Sequence, residues 1–175
     1  RKWIDYYPFF KVSVNVSAVQ ILEDTFIEEI VKIIDDENFP YQNLVLELTE
    51  SHTVQNMSIL QFKFKALQDL GIYIAMDDFG TGYSSLEVLK FSPIDIVKID
   101  RVFVKDILKS KFDATFIHFI VAICHDVGIK VCLEGVETQE EYDLVKQIKP
   151  DYIQGYLFGK PQTATEIFDL LKLDN

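Results

Sequence analysis

Asp77 and Asp78 stand side by side, behind the apolar run Ile72 to Met76 and ahead of Phe79-Gly80-Thr81-Gly82-Tyr83-Ser84-Ser85. Two adjacent carboxylates repel each other and lose solvation near a core, so the doublet calls for a positive charge such as a metal ion. A solvated Asp-Asp turn before a glycine loop is the plainer alternative. The apolar run reads as a buried strand, and α/β folds keep their sites at the C-terminal ends of such strands. Other apolar runs end on the same kind of residue: Asn15, Glu47, the pair Lys98 and Asp100, Glu134, and Gln154. Each has an ordinary structural reading alone, Asn15 as a turn former, Lys98 as an ion-paired lysine, Glu134 before Gly135 as a turn acid. A polar group at every strand end is harder to explain that way.

Asn15, Glu47, Asp77 and Asp78 offer hard oxygen donors, which suit Mg²⁺ or Mn²⁺ rather than zinc. His52, His118 and His125 sit away from the strand ends and read as structural. Two cations sharing one carboxylate would clamp the attacking and leaving oxygens of a phosphoryl group. Lys98 would hold the attacking water or stabilise developing charge, and Glu134 would serve as general base if neighbouring acids raise its pKa. The chemistry reached from the residues is metal-assisted hydrolysis of a phosphate ester.

The elements that must carry these groups alternate between strand and helix. Strands are expected at Phe9 to Val16, Leu44 to Leu48, Ile72 to Met76, Ile94 to Ile99, Lys130 to Leu133 and from Tyr152. Helices are expected at Thr25 to Asp36, Ser58 to Leu70, Ser84 to Phe91, Asp113 to Val127, Thr138 to Gln147 and Thr163 to Leu173, with a helical turn at Phe103 to Leu108. Apolar periodicity, glycine stops and the Thr138/Glu141 capping box support these assignments. Alternating units with apolar strands mean a parallel sheet covered by helices. An open doubly wound sheet uses only the strands beside its switch point, whereas a barrel gathers every strand end at one mouth. The polar strand ends favour part of a (β/α)8 barrel. About six βα units fit in 175 residues, where a full barrel needs roughly 250.

Composition narrows the partners. Asp and Glu number 28 against 17 Lys and Arg, for a net charge of −11. That excludes a basic surface tracking a nucleic-acid polymer, but allows a small anion held through cations. Cys124 and Cys132 have no zinc spacing and read as buried thiols of a reducing compartment, hence a cytoplasmic location, although the parent protein could still be membrane-anchored. No transmembrane stretch or signal peptide is read, and the start at Arg1-Lys2-Trp3 suggests a fragment.

Six ordered blocks carry a family resemblance: Ser13-Val14-Asn15-Val16-Ser17, Leu46-Glu47-Leu48-Thr49-Glu50-Ser51, Asp77 through Ser85, Val97-Lys98-Ile99-Asp100, Glu134-Gly135-Val136-Glu137-Thr138 and Gln154-Gly155-Tyr156. With them the chain resembles the EAL-domain phosphodiesterases, which hydrolyse cyclic di-GMP to linear pGpG. The resemblance implies a modified (β/α)8 barrel over residues 1–175, without its first two βα units. It implies that Asn15, Glu47, Asp77 and Asp78 ligate two Mg²⁺ or Mn²⁺ ions, with Asp77 shared. It implies that Lys98 and Glu134 assist the attacking water and Gln154 orders the site. Glu50 is expected to anchor the loop after the third strand, and the loop over residues 78–85 to couple the site to a homodimer. Asp100, Glu137 and Pro161 are expected around the bound nucleotide, and a sensory or GGDEF-type module upstream. The family's Glu-Ala-Leu motif, which supplies a further metal ligand and a phosphate-contacting arginine, does not occur in the chain, so these residues alone are expected to turn over weakly or not at all. Leu133 stands where the family has a small residue, which either crowds the mouth or is absorbed by repacking. The other reading is a cyclic di-GMP sensor that binds without turnover.

Overall fold

Six strands line up in chain order in a computed structural model, β1-β2-β3-β4-β5-β6, all parallel. The structure describes residues 2–49, 57–81, 86–91 and 93–173. The strands are β1 (Val12–Asn15), β2 (Leu44–Thr49), β3 (Tyr73–Phe79), β4 (Ile96–Ile99), β5 (Lys130–Leu133) and β6 (Tyr152–Ile153). The helices are α1 (Lys2–Tyr6), α2 (Ala18–Leu22), α3 (Phe26–Asp36), α4 (Met57–Asp69), α5 (Leu86–Phe91), α6 (Arg101–Lys105), α7 (Lys111–Asp126), α8 (Gln139–Ile148) and α9 (Ala164–Leu173). Consecutive parallel neighbours joined by helices form an incomplete barrel wall, with β1 and β6 as its edges. No helix of the described residues is long and apolar enough to cross a membrane.

The two faces of the sheet differ, and this difference makes the site. The outward positions Leu44, Leu46 and Leu48 of β2, Ile74 and Met76 of β3, Val97 and Ile99 of β4, and Val131 and Leu133 of β5 join the main core. They pack with Leu60, Phe64 and Leu67 of α4, Ile117, Ile120, Val121 and Cys124 of α7, and Val145 and Ile148 of α8. The inward positions form a separate small cluster, Val45, Ala75, Ile96 and Cys132, beside Tyr73. Side chains alternate along a strand, so two residues further on each inward row reaches Glu47, Asp77, Lys98 and Glu134. Leu133 is fully buried in the outer core, so its bulk is absorbed by packing and does not crowd the mouth.

Three local readings change. The first strand begins at Val12, not Phe9, because its partner β2 begins at Leu44 and Val12 registers with it; Phe9 is 95% exposed. A short helix, α2, follows it, opened by a capping box in which Ser17 and Gln20 satisfy each other's backbone. Asp77 and Asp78 lie inside β3 rather than beyond its end. The expected start of α5 at Ser84 lies outside the described residues.

Candidate active site

The register of the sheet explains how distant residues meet. Asn15 pairs with Glu47, Glu47 with Ala75, Ala75 with Ile96 and Ile96 with Lys130. Against that row Asp77 and Lys98 stand two residues higher, and Glu134 four higher. This stagger is the strand tilt of a closing barrel, and it turns a line of residues into a cup.

The aspartate doublet needs a further device. In a regular strand neighbouring side chains point to opposite faces, so only one of the two carboxylates would reach the interior. Met76 registers with Val97 and Phe79 with Ile99, which leaves both Asp77 and Asp78 opposite Lys98 alone. This is a β-bulge, and Asp78 adopts the left-handed backbone with φ of 54°. As a result Asp77, Asp78 and Glu134 each bring a carboxylate oxygen within 4.8 Å of the others.

Lys98 is the electrostatic centre. Its Nζ lies 2.8 Å from Glu47 Oε2, 2.9 Å from Asp77 Oδ1 and 2.7 Å from Glu134 Oε1, and its side chain is 7% exposed. Burial alone would lower its pKa; its close contacts with the Glu134, Glu47 and Asp77 carboxylates outweigh that and hold it well above the ordinary lysine value. Burial raises the Glu134 carboxyl above its usual range, aided by the charges of Asp77 and Glu47 and opposed by Lys98. Burial likewise raises Asp78, together with the charges of Asp77 and Asp100. Despite its closeness to Nζ, Asp77 Oδ1 is buried and accepts no aligned hydrogen bond. A buried carboxylate oxygen left in this way, among hard oxygen donors, fits a divalent cation.

The other expected residues gather around this cluster. Asn15 ends β1 beside Glu47 and is exposed on the edge strand. Glu134, Gln154, Asp100, Glu137 and Pro161 line one cleft of about 430 Å³. Gln154 is fixed there by its backbone, donating to Leu133 O at 2.8 Å and accepting from Val136 N at 3.1 Å. Asp100 also opens α6, its Oδ1 accepting from Val102 N at 2.7 Å. Glu50, and Gly82 to Ser85 of the expected coupling loop, lie outside the described residues. His125 has a structural partner: its Nε2 is 2.9 Å from Asp151 Oδ2, which also accepts from Val131 N. Sequence reasoning gave no role to Arg101 or Lys160, which line the same cleft. The signal available was their position, directly after Asp100 and directly before Pro161.

Comparison with known proteins agrees with this geometry. The family model described as "EAL domain" matches residues 1–161. The chain is 36% identical over 163 residues to "Cyclic di-GMP phosphodiesterase PdeR" of Escherichia coli, covering 93% of the chain and 25% of that protein. It therefore spans about a quarter of that relative's length. The EAL domain of Mycobacterium smegmatis DcpA is 34% identical with a TM-score of 0.89, covering 93% of this chain and 73% of that one. The Klebsiella pneumoniae BlrP1 manganese/cyclic di-GMP complex is 28% identical with a TM-score of 0.82, covering 89% and 40%.

Proposed function

The chain belongs to the EAL domain family, and from that premise we propose that the protein carrying it hydrolyses cyclic di-GMP to linear pGpG with two Mg²⁺ or Mn²⁺ ions. One observation carries the reading: Glu47, Asp77 and Glu134 converge on Lys98, with Asp78 alongside and Asp77 Oδ1 left without an aligned hydrogen bond. Support also comes from relatives whose names specify cyclic di-GMP hydrolysis, and from a similar structure holding manganese and cyclic di-GMP.

In this reading Asn15, Glu47, Asp77 and Asp78 would hold the cations, which would supply electrostatic stabilisation of the charge developing on the phosphoryl group. Lys98 Nζ, held among Glu47, Asp77 and Glu134, orients the attacking water. Glu134 takes the proton from that water at its Oε1 or Oε2, and its raised pKa brings it nearer neutrality, where a general base works best. Gln154 holds the rim, and Asp100, Glu137 and Pro161 seat the nucleotide. Glu50, the loop over residues 78–85 with a homodimer partner, and an upstream sensory or GGDEF-type module supply the regulation.

Hydrolysis of cyclic di-GMP with Mn²⁺, before and after Glu134→Gln, tests the assignment. The substitution should reduce turnover at least about a hundredfold, the lower end for a lost general base, while the ligand still binds. Unchanged turnover would remove Glu134 from the base role. Tight binding without turnover in the unsubstituted protein would make the domain a sensor.

A further inference from the structure

Arg101 and Lys160 are the cations among the described residues that line the cleft, against the acids Asp100, Glu134 and Glu137. Both are exposed, and neither makes a hydrogen bond or ion pair among the described residues. Lys160 has only the Tyr156 ring, 5.8 Å from its Nζ. Two of these three acids have partners elsewhere, while Glu137 joins Arg101 on the wall of both clefts. Asp100 Oδ1 accepts from Val102 N, and Glu134 faces Lys98.

The stem of Arg101 is fixed while its head is left unpaired. Gly135 has a φ of +74°, and a Cβ added there would lie 2.2 Å from Arg101 Cβ. Only glycine lets the exit of β5 lie against that stem. The arginine thus stands on the wall shared by the cleft and a second one of about 530 Å³. An unpaired guanidinium on an acidic wall favours an anion over a neutral group.

This inference rests on the phosphodiesterase reading. A cyclic dinucleotide has two phosphates, and the cation cluster takes the one that is cleaved. The other enters a chain of net charge −11, where Lys98 is already committed to three carboxylates. We propose that Arg101 and Lys160 bind this second, uncleaved phosphate and so position the ligand for the metal end.

The test is equilibrium binding of cyclic di-GMP with Mn²⁺ to the full-length protein carrying Glu134→Gln, so that ligand persists. Arg101→Gln and Lys160→Gln should each weaken binding about tenfold at low salt, the usual scale of a charge-assisted contact, with unchanged melting temperature. The loss should shrink in 1 M salt, where roughly 3 Å screening removes the charge term, and Arg101→Lys should recover part of it. Binding within twofold in the double variant, or a loss equal at both salts, overturns the proposal. No binding by the Glu134→Gln parent overturns the phosphodiesterase reading beneath it, a result distinct from either.

Discussion

Lys98 balances the site when no cation does. Its ammonium is 7% exposed and lies within 2.9 Å of three carboxylates. Removing one partner of a buried charge group leaves the rest uncompensated, which costs about 3–5 kcal/mol. Lys98→Met should therefore lower metal-free stability by about 3 kcal/mol, and Mn²⁺ should restore most of it; a melting series with and without Mn²⁺ reads both. Protons compete for the same oxygens. Glu134 and Asp78 are raised above the usual carboxylate range, chiefly by burial. In the window between the unfolded and raised folded values, the folded chain binds more protons than the unfolded one. Metal-free stability therefore falls as pH rises through that window. Cation binding must displace the proton of the ligand Asp78, so Mn²⁺ affinity should rise with pH across its window, approaching about tenfold per unit. Calorimetric Mn²⁺ titrations at several pH values check this, and a flat profile would take Asp78 out of the cation site.

Elements deliver these residues through alternation, stagger and one bulge, and only the first of these is written locally. Apolar strands such as Leu44–Thr49 and helix caps such as Thr138 with Glu141 are legible because propensity and neighbours agree. The strand-end residues were legible as candidates because alternation below them is apolar. The bulge at Asp78 was not, since it depends on the register of β3 against β4. The short helix α2 did leave a signal, Ser17 three residues before Gln20, that a search for capping boxes finds. Loop exits at the mouth depend on backbone contact that sequence pattern does not reveal. Gly155 is the clearest case: a Cβ there would lie 2.0 Å from Val136 O and 2.4 Å from Val136 N. These atoms are backbone and cannot rotate away, and Val136 N also holds Gln154 O. Gly155→Ala should cost about 2–3 kcal/mol, the upper range for overpacking, and shift Gln154. Urea unfolding measures the first, and a larger KM for cyclic di-GMP the second.

At the scale of the whole molecule, the sheet order runs from β1 to β6, and no pairing between those two strands closes it among the described residues. Unpaired strand edges invite another chain, and parallel barrel strands are ordinarily shielded on both sides. The β1 edge exposes apolar groups beside the polar Ser13 and Asn15: Val14 is 44% exposed and Phe9, ahead of the strand, 95%. A net charge of −11 opposes association of two copies. These two tendencies differ in their salt dependence, because added salt screens the repulsion and leaves apolar contact and backbone pairing intact. The 175-residue chain should therefore associate more strongly as salt rises. Sedimentation over a concentration series at about 0.01 M and 0.5 M salt, spanning Debye lengths of about 30 Å to below 8 Å, reads this directly. Val14→Lys should suppress the association by adding an edge charge, whereas a substitution on the far face of α3, such as Lys32→Glu, should leave edge pairing in place. A monomer at every concentration and salt would show that the edges are protected by their own loops, and association that weakens with salt would assign it to charged surfaces instead.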